Sequence, residues 1–158
     1  MIDYLARQPE HLVLHGYRCW TRGAATSSRL PWLEAEDLYI DALGERAGRA
    51  ALDALADFVG TAGMCARCPL RMLKPGARAL CRDEALVIGL VAGIQNGDEG
   101  ASRFCIDALT DDAMAGHVGA AAATYSLLLK GCGRVLLPVP LDVLRSVGGG
   151  APSGALLH

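Results

Sequence analysis

Three cysteines near the middle of the chain, in Cys65-Ala-Arg-Cys68 and at Cys81, are the residues whose type and spacing point most directly to chemistry. Two thiolates three positions apart converge on one ion, and a third from beyond the loop closes the chelate. A zinc site needs one more ligand, for which Cys19, Cys105, Cys132, His15 and His117 are available. Zinc ranks ahead of an iron–sulfur cluster. Cys68-Pro69 matches the Cys-Pro step of some cluster runs, but the C-x2-C-x2-C-x3-C-P spacing is absent. No His follows Cys68, so the standard c-type haem attachment is excluded. A thioredoxin-like use of the pair needs a strand before it and a long helix after it. Here a helical pattern ends before it and Pro75 follows soon after. The alternative is that these are reduced thiols, structural or redox-sensing.

The setting of the cluster is basic. Arg67, Arg71, Lys74, Arg78 and Arg82 fall between residues 64 and 82 with no acid among them. Nearby positive charge favours thiolate, which serves metal ligation or redox attack. Arg67, Arg71 and Arg78 are equally suited to bidentate contacts with a phosphate or another anion. The competing expectation is intramolecular: Glu34, Glu36, Asp37, Asp41, Glu45, Asp53 and Asp57 precede the stripe and are able to face it.

A second constellation is His11-x3-His15-x3-Cys19. Residues four apart stack on one helix face, so the imidazoles are placed to share a metal or flank a haem. The same wheel sets them beside Arg18 and Arg22, opposite Trp20, which predicts an ordinary solvated face. Two histidines alone are too few ligands for tight binding unless the cysteine loop folds over them. Catalytic signatures such as G-x-S-x-G, G-x-x-x-x-G-K-[ST], G-x-G-x-x-G and H-E-x-x-H are absent. Asp83-Glu84 reads as helix N-terminal charge rather than an acid/base couple, because adjacent helix residues point about 100° apart. His117, in an Ala-rich stretch, reads as a packed histidine.

Composition narrows the class. The chain has 158 residues, 52% of them hydrophobic and 5% aromatic, with a net charge of −2. A chain of this size buries enough surface to fold without disulfides or metals. The neutral balance and scarce aromatics argue against nucleic acid as partner. The first residues lack a basic region followed by an apolar one, and the longest apolar run, 85–94, is half what a membrane span requires. A cytoplasmic protein with no membrane association is the expectation.

Helical periodicity must position these groups. The pattern predicts helices over about 9–23, 31–43, 45–62, 84–95, 98–109 and 111–130, the last capped by Thr110. Residues 63–81, with Gly63, Pro69, Pro75 and Gly76, form an irregular Cys/Arg-rich loop. The 85–94 run is compatible with a buried strand, but the four-residue spacing of Ala85, Gly89 and Gly93 favours a helix. That strip of small residues is expected to pack against the Gly/Ala-rich 111–130 helix. The expected fold is an all-α, single-domain bundle of about six helices over 1–147, followed by a flexible tail at 148–158. The expected function is a small accessory or regulatory protein that binds zinc through Cys65, Cys68 and Cys81. The alternatives are a metal-free interaction module, partnered by another protein or by itself as a homodimer, and a small enzyme.

Overall fold

The structure is a computed structural model that describes residues 4–66 and 69–148. Among the described residues it is all-α. The α-helices are α1 (Gln8–Thr26), α2 (Leu30–Leu43), α3 (Glu45–Cys65), α4 (Arg82–Asn96), α5 (Glu99–Leu109), α6 (Ala115–Gly131) and α7 (Leu141–Gly148). Short 3-10 turns at Tyr4–Ala6 and Asp112–Met114 precede α1 and α6. No strand occurs among the described residues; Ala66 and Thr110 form one isolated antiparallel bridge. None of the described helices is long and apolar enough to cross a membrane. Of the expected tail, Gly148 ends α7 and the remaining residues lie outside the described ones.

The 85–94 run is a helix and sits at the centre. Every residue from Asp83 to Gly93 is buried, as expected of a helix surrounded by others. It contacts α1, α5, α6 and α7. The small strip does not face α6, as its composition suggested. A Cβ at Gly89 would lie 2.5 Å from Leu144 of α7 and 3.0 Å from the Cys105 sulfur of α5, and one at Gly93 would lie 2.7 Å from Ser102 of α5. Helices α5 and α7 therefore dock in the groove that those glycines leave. Gly97, at φ +70°, turns the chain out of α4, and Asp98 caps α5 through Ala101 N (3.0 Å). Thr110 does not cap α6: its hydroxyl bonds back to Ile106 O (3.1 Å), and the chain passes through the Asp112–Met114 turn first.

Helices α1, α2, α3 and α6 meet around two buried phenols. The Tyr39 and Tyr125 hydroxyls lie 2.6 Å apart, and Tyr39 donates to Leu12 O at 3.0 Å. Burial pushes both phenols well above their usual range, so both stay protonated donors. The α1–α2 hairpin turns tightly. Helix α1 runs past the expected end at Gly23 to Thr26, and Ser27 closes it in the left-handed region at φ 53°. The Trp32 indole then lies directly over Gly23 and donates to Trp20 O (3.3 Å). All seven helices contribute to one buried core cluster.

Helix α2 crosses α3 at backbone contact: a Cβ on Gly48 would stand 2.7 Å from Tyr39 O and 2.8 Å from the Ile40 backbone. Gly48→Ala should therefore force the helices apart and destabilise the protein by about 1–3 kcal/mol. Gly116→Ala, where nothing lies within 4 Å, should leave stability unchanged or slightly raised. Urea unfolding of the two variants checks the contrast.

Candidate functional site

The irregular segment is shorter than its composition suggested. Helix α3 continues through Gly63 and Met64 to Cys65, because neither residue breaks it and Ala62 and Cys65 both reach the core. Arg67 and Cys68 lie outside the described residues. Residues 69–81 have no regular structure and cross from the end of α3 to the start of α4.

What holds this segment is a buried ion pair between helices. Arg18 of α1 and Glu84 of α4 are 4% and 0% exposed. Arg18 Nε donates to Glu84 Oε2 at 2.5 Å and Nη2 to Oε1 at 3.2 Å. The guanidinium also donates to the carbonyls of Ala77 and Ala79, each at 2.9 Å. The Glu84 carboxylate takes two further bonds, from Leu73 N (3.1 Å) and Cys81 N (3.0 Å). Asp83 accepts from Arg71 N (2.8 Å), and Tyr17 donates to Arg71 O (2.7 Å). The α1 face predicted to be solvated is thus only partly so. His11 is exposed and His15 half-buried, while Arg18 turns inward to the loop. Asp83 and Glu84 do stand at a helix N-terminus, but their carboxylates are buried loop anchors.

Among the described residues, three acids of α2 and α3 are paired elsewhere than with the basic stripe. Glu34 pairs with Arg22 and His15, and Glu36 and Glu45 pair with Arg49. Arg71, Lys74 and Arg78 are exposed, and no described carboxylate pairs with Arg78. Arg82 is committed to Asp83 (3.0 Å) and to Ala108 O (3.0 Å).

The cysteines are placed as follows. Cys65 ends α3 and Cys81 precedes α4, each 7% exposed. The Cys81 thiol points to Arg71 O at 3.5 Å. Burial, with the charges of Glu84 and Asp83, pushes it up to about 12, opposite to the thiolate-favouring effect expected of the basic stripe. Burial likewise pushes Cys105, packed at Gly89, up to about 12. Cys132, after α6, is half-exposed, and His117 is exposed on α6.

The loop does fold over the histidine face. The turn at Gly76-Ala77-Arg78, opened by Gly76 at φ +80°, forms one wall of a cleft of about 350 Å³. His11 and His15 of α1 form the opposite wall, their rings stacked 5.5 Å apart, and Leu5 and Leu14 supply apolar lining. Among the described residues no carboxylate lines the cleft, and the nearest to its imidazoles is Glu34, 3.3 Å from His15 Nε2. Burial, the neighbouring His15 and Arg18 together lower the His11 pKa, so that ring is neutral at neutral pH. Of the three arginines expected to contact an anion, Arg78 lines this cleft and Arg71 does not.

Beside the cleft a second group converges that the sequence only half revealed. One ligand atom each of His15, Cys19 and Glu34 lies within 4.8 Å of the others, the one such group of three among the described residues. His15 and Cys19 are one turn apart on α1, and Glu34 comes from α2. Glu34 gave no spacing signal, because the hairpin brings it there. No protein-family model matches this chain, and neither does any curated protein or solved structure.

Removing one partner of a buried ion pair leaves the other charge uncompensated. Arg18→Met or Glu84→Gln should cost about 3–5 kcal/mol, with the Arg18→Met/Glu84→Leu double variant losing less than the sum. Trypsin under native conditions should then cut after Arg71 and Arg78 in the single variants, sites protected in the parent.

At pH 8 a thiol with a pKa near 12 is thiolate in about one molecule in 10⁴. Iodoacetamide should therefore label the half-exposed Cys132 before Cys81 or Cys105. Peptide mass mapping over a time course reads the order.

Proposed function

We infer that this chain is a small helical accessory protein that binds a small organic anion in the cleft between α1 and the 76–78 turn. The observation that carries the reading is the lining of that cleft. The unpaired Arg78 guanidinium and two imidazoles stand over apolar side chains, and no described carboxylate is among the residues that line the cleft. Its volume, about 350 Å³, is at the small end for a ligand pocket of roughly 300–1,000 Å³. The Arg78 fork suits a phosphate or carboxylate, and the imidazoles add N–H donors. Leu5 and Leu14 favour a ligand with an apolar body over a bare inorganic ion.

The wall that carries Arg78 is built before any ligand arrives. Arg18 grips the carbonyls on both sides of it, Ala77 O and Ala79 O. Little ordering entropy then remains for binding to overcome.

Phenyl phosphate should bind the full chain in calorimetry and shift the amide signals of residues 11–15 and 76–78. Arg78→Gln should weaken it roughly ten- to hundredfold, the loss of one charge-assisted hydrogen bond of about 1.5–3 kcal/mol. Equal affinity for inorganic phosphate, or an Arg78→Gln variant that binds like the parent, overturns the reading.

A further inference from the structure

We propose that His15, Cys19 and Glu34 form a transition-metal site of the zinc type, held across the α1–α2 hairpin. The donor set is one imidazole nitrogen, one thiolate and one carboxylate oxygen, a mixture that suits zinc and similar borderline ions and disfavours magnesium and calcium. His15 Nε2 and Glu34 Oε1 are 3.3 Å apart. Two ligand atoms each about 2.05 Å from a tetrahedral ion are separated by about 3.3 Å, so an ion fits between them with little movement. The sulfur belongs about 3.6 Å from the nitrogen in the same geometry, and all three ligand atoms already lie within 4.8 Å.

Three features make this more than a chance contact. First, the hairpin is fixed by packing that owes nothing to the metal: the Trp32 indole seated over Gly23 and the left-handed Ser27. Second, Glu34 is oriented from behind. Arg22 Nη2 donates to Oε2 at 2.7 Å, which leaves Oε1 facing His15. Such outer partners commonly aim the ligands of zinc sites. Third, burial is graded. Cys19 is 1% exposed, whereas the Glu34 side chain is 49% exposed, so the site has a sheltered sulfur floor and an open carboxylate side through which an ion enters.

Binding replaces the Cys19 S–H bond with a metal–sulfur bond and releases one proton to solvent. Three protein ligands leave a fourth position for water.

The inference goes beyond the anion reading and fails separately from it, since phenyl phosphate is titrated into chelator-treated protein and the metal into phosphate-free buffer. The full chain, stripped with chelator under reducing conditions, is titrated with zinc by calorimetry and with cobalt(II) by absorption. One metal per chain is expected, with a thiolate-to-cobalt charge-transfer band and the strong visible bands of a four-coordinate site. Cys19→Ser should abolish the charge-transfer band. Glu34→Gln, at a half-exposed position that folding tolerates, should weaken zinc by at least about 100-fold, beyond the 10- to 100-fold typical of outer-sphere changes. Cys65→Ser should leave the spectrum unchanged. A band that survives in Cys19→Ser but disappears in Cys65→Ser assigns the metal to Cys65, Cys68 and Cys81 and overturns the proposal. So does the absence of any thiolate band in the parent protein.

Discussion

The arrangement depends most on the Arg18–Glu84 pair. Taking two charges out of water costs several kcal/mol per ion, and their mutual attraction offsets this only when the remaining donors and lone pairs are satisfied. Here the carboxylate receives four hydrogen bonds, two from Arg18 and one each from Leu73 N and Cys81 N, filling its acceptor capacity. The guanidinium gives two of its other three donors to Ala77 O and Ala79 O. Residues 69–81 lack helix or sheet partners for their polar backbone, so the pair serves as their secondary structure. It needs loop carbonyls and amides to be tolerable, and the loop needs it to be ordered.

The same device recurs at the other irregular segment. Gln95, 2% exposed at the end of α4, donates to Ser126 O and Arg134 O and accepts from Leu136 N, tying the chain after α6 to the core. Glu10 of α1 accepts from Leu137 N (3.0 Å) one residue further on. Each long connection is thus held by buried polar side chains from helices, Arg18 and Glu84 at 69–81 and Gln95 and Glu10 after α6. Helices α1 and α4 supply all four, so a change in how these two helices pack would reach both loops at once.

The helices were largely readable from the sequence because period, proline and glycine signals are local. The two errors of partner, α6 for the Gly89 strip and Thr110 as a cap, arose where several small-residue faces or cap sequences competed. Local spacing does not say which of them wins. The site was less readable for a related reason. Arg18 falls on the polar side of the α1 wheel, and a wheel cannot distinguish an arginine in solvent from one that reaches under a loop sixty residues away. Glu34 looked like one acid among seven. The His11-x3-His15-x3-Cys19 spacing was visible, yet its worth depends on what the hairpin and the 76–78 turn bring to it.

Helix α1 is where these constraints meet. Its successive turns present His11 and His15 to the cleft, Arg18 to the loop, Cys19 to the hairpin interior and Arg22 to Glu34. His15 belongs to both the cleft and the Cys19–Glu34 group. The two groups of residues thus share one imidazole. Buried packing and hydrogen bonds frame α1 on this side. The Arg18–Glu84 pair is part of this frame. It fixes the height of the 76–78 wall above the imidazoles, and with it the depth of the cleft that shares His15.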